Sequence, residues 1–164
     1  MERPLDPDFE SCIKSGKIRR FAAGAELVAA EMETARQDFE EAKRTAAAGG
    51  FKWATIQAYY AMFHTARALL YAEGFRERSH RCLVIALRAL YVQPRRLELE
   101  FVEEMEAGKM LRENADYYSR FSDAGAHRAL DLAKRFLARA RQLIDNPDDN
   151  IIARDRPARR NRRP

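Results

Sequence analysis

Residues 51–73 read FKWATIQAYYAMFHTARALLYAE, an unbroken run with neither Gly nor Pro. Its apolar residues fall on nearly every side of a helix: Trp53, Ile56, Tyr59, Tyr60, Met62, Phe63, Ala66, Leu69 and Leu70. A helix apolar all round is covered on all sides. This one is therefore expected at the centre of a bundle, or covered partly by its own fold and partly by a partner subunit. Gly49-Gly50 precede the run and Gly74 closes it, as glycine does at helix ends.

Upstream, Phe21, Ala25, Val28, Met32, Ala35, Phe39, Ala42 and Ala46 recur at alternating steps of four and three residues. That spacing predicts a helix from Lys17 to the Gly49-Gly50 pair with one apolar stripe. Its many alanines let a neighbouring helix come close. Residues 1–16 lack periodicity, contain Pro4 and Pro7, and are expected as a loose or wrapped arm. Downstream, Ser79 is a candidate N-cap for a short helix, His80–Tyr91, and Pro94 suits the first turn of a long helix reaching Phe121. Ser122-Asp123 offers the next cap, and the last helix, 123–145, ends at Asn146-Pro147. No β alternation stands out. The expected fold is all-α: an antiparallel up-and-down bundle of four long helices and one short one, joined by short loops. The bundle spans residues 17–146, between the arm at 1–16 and a basic tail at 147–164.

The formal charge of +5 belongs to that tail, because residues 151–164 carry six Arg and one Asp and the rest of the chain balances to zero. Arg154, Arg156, Arg159, Arg160, Arg162 and Arg163 are candidate phosphate contacts for RNA, each adding salt-dependent affinity. Cys12 and Cys82 stand alone, without paired spacing. They are expected as packed thiols in a reducing, cytoplasmic protein. No stretch has the roughly 18 apolar residues of a membrane span, so no membrane association is expected.

Glycine-rich phosphate loops, nucleophile elbows and zinc-protease motifs are absent from the sequence. The single Glu-x-x-His, Glu77–His80, has no second copy, so neither a metal site nor a cofactor is expected. Three histidines are present: His64 within the aromatic run, His80 at a helix start, and His127 in the first turn of the last helix. In LRENADYYSRF, residues 111–121, Arg112 and Asp116 are one turn apart and form a candidate ion pair. Tyr59, Tyr60 and Tyr117 are expected as core or interface aromatics.

The runs AYYAMFHTARALLYAEGFRERSH (58–80) and MLRENADYYSRF (110–121), followed by AKRFLARARQLI (133–144), resemble HEPN-domain proteins, notably their small stand-alone UPF0332-type branch. The resemblance extends over about residues 17–145. It implies a helical bundle, commonly a homodimer. It also implies an Arg-x(4–6)-His motif at the dimer interface that cleaves RNA without metal. In that chemistry a ribose 2′-hydroxyl attacks the adjacent phosphate, Arg stabilises the phosphate charge and His moves a proton or positions substrate. Arg112 matches the Arg. The positions five to seven residues later are Tyr117, Tyr118 and Ser119, and none is His. The candidate catalytic residues are thus Arg112, Asp116 and Tyr117, with His64 or His80 supplying the histidine from another helix. The expected function is RNA binding or cleavage within a toxin–antitoxin or defence system, with a minimal nucleotidyltransferase as antitoxin. The alternatives are a non-enzymatic dimeric module for nucleotide, RNA or protein, and a purely structural bundle.

Overall fold

A computed structural model describes residues 6–147. Within them are six helices and one pair of three-residue strands. The segment expected as a loose or wrapped arm contains helix α1, Pro7–Lys14. Asp6 caps it, its carboxylate accepting the N–H groups of Asp8 at 2.9 Å and Phe9 at 3.1 Å, and Pro7 occupies the first turn. Asp-Pro is here a helix start and not a breaker, because the first turn needs no proline N–H. Phe9 and Cys12 form its buried face.

The helix expected from Lys17 begins later. Ile18–Arg20 is a strand, β1, paired antiparallel with β2, Phe75–Glu77, so that Ile18 lies opposite Glu77 and Arg20 opposite Phe75. Three residues are too few to show an alternating pattern in sequence, and only the pairing defines the strands. Helix α2 then runs Gly24–Ala47. Gly24 is a position of close approach: a Cβ there would lie 2.7 Å from the carbonyl oxygen of Tyr71.

Helix α3, Phe51–Ala72, is the central element expected from its composition. It packs on α2, on α5 (Leu99–Tyr118) and on α6 (Asp123–Asp145). Ala35 and Ala42 of α2, and Ala54, Ala58 and Ala61 of α3, are all fully buried, which fits the close α2–α3 approach foreseen from the alanine stripe. At Gly108 of α5 the flexible end of Met62 fills the space a Cβ would take. Leu69, Leu70, Leu83, Leu87, Met105 and Phe136 fill the core. Fully burying such side chains stabilises by about 1.5–3 kcal/mol each before chain entropy is counted.

Helix α4 is His80–Leu87, capped by the Ser79 hydroxyl as predicted, and continues as a wider π turn over Arg88–Val92. Pro94 lies in the turn that follows and does not open the next helix. The N–H groups of Arg95, Arg96 and Leu97 bond back to Val92 and Tyr91, and α5 starts only at Leu99. It ends at Tyr118, where Ser119 takes a left-handed conformation, so Phe121 falls outside it. Ser122 caps α6 through the N–H of Gly125 at 2.9 Å.

The cysteines correct a sequence expectation. Cys12 and Cys82, 70 residues apart, form a disulfide between α1 and α4. Each is alone in its own stretch, and only the packing of α1 on α4 brings their Cα atoms to 5.8 Å. The pairing removes the cysteine-based ground for expecting a reducing compartment. Among the described residues no helix is long and apolar enough to cross a membrane.

Candidate functional site

A cleft of about 370 Å³ opens between α3, the β2–α4 turn and α5. Tyr59, Tyr60, Phe63 and Arg67 come from α3, Glu77 through His80 from the turn, and Arg112 from α5. Local structure explains each placement. Tyr59, Phe63 and Arg67 follow one another at helical spacing along α3. His80 is the first residue of α4 because Ser79 caps it. Arg112 lies one turn and a half before the end of α5.

The centre of the cleft is a chain of three polar side chains. The Tyr59 hydroxyl lies 2.8 Å from Nδ1 of His80. The Arg112 guanidinium sits over the Tyr59 ring at 5.2 Å and the Tyr117 ring at 5.6 Å. It donates to the Tyr117 hydroxyl at 3.3 Å and more loosely to Asp116 at 3.5 Å. Stacking on aromatic faces holds the guanidinium without neutralising it. Burial pushes the Tyr59 phenol up to about 12, against the pull of Arg112. Burial, and then the charge of Lys109, hold His80 below the usual histidine value, with Glu113 opposing and Arg112 adding to the effect. Nε2 of His80 and Nε of Arg112 are both covered and have no hydrogen-bond partner. Buried polar atoms are normally paired, and these two, with Oε2 of Glu77, are the cleft-lining side-chain atoms among the described residues that are covered and unpaired.

A second cation, Arg67, is tied down. It donates to Oε1 of Glu77 at 2.9 and 2.6 Å and stacks on Phe63 at 4.6 Å. Arg78 is exposed at the rim. Three arginines against one glutamate leave the lining net positive. On the far side of His80 lies a larger groove of about 730 Å³, between α4 and α5, with Asp8 of α1 at its edge.

The other sequence candidates separate from this cluster. His64 faces α2, where Nδ1 meets Glu31 at 2.7 Å and Nε2 lies 3.8 Å from Asp38. His127 pairs with Asp123 at 2.8 Å on the exposed surface. Arg154, Arg156, Arg159, Arg160, Arg162 and Arg163 lie outside the described residues.

Residues 28–145 match the family model of the HEPN domain. The chain belongs to the HEPN family. Its fold is also similar to the crystal structure of TT1696 from Thermus thermophilus, with a TM-score of 0.61 at 20% identity, over 71% of this chain and 97% of that one. No curated protein sequence matches the chain. Helix α1 and strand β1 precede the segment matched by the HEPN model.

Within the HEPN domain, Tyr117 stands five residues after Arg112 and bonds to it, and the histidine that approaches the Arg112 cluster is His80 of α4. Sequence reading missed Tyr59, taken there as a core aromatic, and the cleft roles of Arg67 and Arg78. The Glu77–His80 spacing was set aside as a metal motif while His80 was kept as a candidate, and both residues line the same cleft through different partners, Arg67 and Tyr59. No local spacing signals these contacts, because Tyr59 and His80 are 21 residues apart and lie on different helices.

Proposed function

We propose that this HEPN protein binds RNA through the Arg112–Tyr59–His80 cleft, as a homodimer serving in a toxin–antitoxin or defence system. The observation that carries the reading is the partly buried guanidinium of Arg112, stacked on two phenols beside the unpartnered Nε2 of His80. An arginine held by aromatic faces keeps donors for phosphate oxygens. Exposed Tyr117 lies against it and exposed Tyr60 lines the same cleft, and unpaired bases stack on such rings. Exposed Trp53 and Tyr60 on the central helix support a second copy covering that side. A minimal nucleotidyltransferase is the partner expected of such a system. The basic tail would add phosphate contacts.

A second reading is cleavage, favoured by the approach of His80 to the Arg112 cluster. Arg112 would stabilise phosphate charge and His80 would donate toward a phosphate or leaving oxygen. Binding and cleavage of total cellular RNA in EDTA separate the two, using wild type, Arg112→Ala and His80→Ala. Binding lost in Arg112→Ala, without cleavage by wild type, supports the first reading. Wild-type cleavage leaving cyclic phosphate ends, and lost in both variants, supports the second. Equal RNA affinity of wild type and Arg112→Ala overturns both. Sedimentation as a monomer at micromolar concentration overturns the homodimer.

A further inference from the structure

We propose that residues 6–20 form a disulfide-locked strap that holds one wall of the cleft, so that the thiol state of Cys12 and Cys82 regulates what the cleft binds. The regulatory part rests on the reading of the cleft as an RNA site, and the strap itself is tested without RNA. The wall is the run Glu77–His80, which lines the cleft together with Tyr59 and Arg112. Helix α1 and strand β1 back this run at successive points. Phe9 meets Phe75 edge to face at 5.4 Å, and Ile18 pairs with Glu77. The N–H of Arg78 donates to the carbonyl oxygen of Lys17 at 2.8 Å. Cys12 is bonded to Cys82, two residues beyond His80. Both α1 and β1 precede the segment that matches the HEPN model. The helices α3 and α5 of the domain thus supply Tyr59 and Arg112, and an extension in front of the domain backs the turn that leads into His80.

The non-covalent hold of this extension is slight. Helix α1 has eight residues, too few for a helix that is stable by itself. The β1–β2 pair has three residues a side, and a two-stranded ribbon is marginal alone. The bond of Asp6 to Gln93 is exposed, which leaves buried Phe9 as the main apolar attachment. The disulfide adds a covalent tie across 70 residues of chain, which removes open arrangements of the strap. Reduced, α1 loses its fixed attachment to the first turn of α4, where the Ser79 hydroxyl takes the N–H of Cys82 at a long 3.4 Å. Leu83 and Leu87 are fully buried and keep the rest of α4 in the core in either state. The loosening is therefore confined to the strap and the turn, and His80, the first residue of α4, stands at their junction.

Both cysteines are buried, so exchange follows a local opening of α1. A thiolate of a small dithiol attacks one sulfur, breaks the Cys12–Cys82 bond and forms a mixed disulfide. The second thiol of the reductant then displaces the protein sulfur. Two electrons pass to the protein. Cys12 and Cys82 end as thiols, and the dithiol ends as a cyclic disulfide.

Amide hydrogen exchange of the full chain, with and without dithiothreitol and with thiol content read by mass, tests the strap. Arg78 and Phe21 report on it, because their N–H groups bond to Lys17 and Gly74 across the strap's edge. Reduction should speed their exchange on the order of tenfold, while Leu69 in the core of α3 stays protected. Unchanged exchange at Arg78 in the fully reduced protein overturns the strap, and so does a rise shared equally by Leu69. In the second arm a single-stranded oligoribonucleotide is titrated into oxidised wild type, reduced wild type and Cys12→Ser/Cys82→Ser. Reduced wild type should bind on the order of tenfold more weakly than oxidised. The double variant should match the reduced protein with or without dithiothreitol. Equal affinity of the oxidised and reduced forms overturns the regulation, as does a dithiothreitol effect of the same size in the double variant. If no form binds RNA, the cleft reading fails and the regulation with it, and the exchange rates still decide whether the disulfide holds the wall.

Discussion

Against α2, His64 sits between Glu31 and Asp38, and the adjacent Arg67 is tied to Glu77. Against α5, His80 touches a single phenol, and Arg112 rests on two aromatic faces with Asp116 at 3.5 Å. Both clusters combine a histidine and an arginine at the edge of the same central helix. In the first, carboxylates meet the histidine and the arginine, which is how a partly buried polar group is stabilised within a fold. In the second, donors remain beyond what the protein uses. Charge matched inside the chain gives structure, and charge left unmatched beside a cleft gives a place for an anion. The type of residue is the same in both, and how closely a carboxylate approaches the side chain sets them apart.

The largest effect expected concerns what anchors α4, which carries His80. Replacing both cysteines, as Cys12→Ser/Cys82→Ser, should cost about 2–4 kcal/mol of unfolding free energy in denaturant titrations. No change would mean that Phe9 on Phe75 and the β1–β2 pairing hold the N-terminal unit without the disulfide. Next in size is Arg112→Ala, which should weaken RNA binding roughly tenfold to a hundredfold while leaving the thermal midpoint nearly unchanged. A large drop in thermal midpoint with RNA affinity intact would reverse the comparison and make Arg112 the structural cation. His64→Ala should do the opposite. Taking the imidazole from Glu31, which keeps Arg67 at 3.9 Å, should cost about 1–3 kcal/mol of stability, with RNA affinity within about twofold of wild type. Loss of binding in that variant would join the two clusters into one site.

The smallest effect is in pH. Burial first, and nearby Lys109 second, hold the His80 pKa below its ordinary value. The unfolded chain therefore takes up this proton before the folded one on acidification. The contribution of neutral His80 is complete above an unfolded-state pKa of about 6.5 and is lost as pH falls through the lower folded value. Over that window wild type should lose stability relative to His80→Gln, measured by denaturant unfolding at a series of pH values. A difference independent of pH would mean that the imidazole is solvated like a free histidine, which would weaken its contrast with His64.

Much of the fold was legible in the chain. The apolar run at 51–73 announced a central helix, the alternating steps from Phe21 to Ala46 announced its neighbour, and Ser79 and Ser122 announced two helix starts. These are local signals, because helical hydrogen bonds and caps join residues three or four apart. Errors gathered where local signals were short or double-edged. Asp6-Pro7 opened a helix where proline suggested irregularity, β1 was too brief to alternate, and Pro94 served a turn and not a helix start. In the site, Arg112 with Asp116 was visible as a one-turn pair, and Tyr117 as the residue standing five positions on. His80 was only one of two histidines on other helices available to complete it, and spacing did not choose between them.

What the sequence by itself determined is the helical class, the central place of α3, the local pairing of Arg112 and the concentration of positive charge in the tail. Tertiary structure alone decided that Cys12 meets Cys82, that Ile18 pairs with Glu77, and that Tyr59, His80 and Arg112 share one cleft while His64 turns to Glu31. The reason is physical. Periodicity and capping are properties of neighbours along the chain, whereas these contacts join residues from separate elements, and only the packing of those elements around α3 brings their side chains within hydrogen-bonding distance.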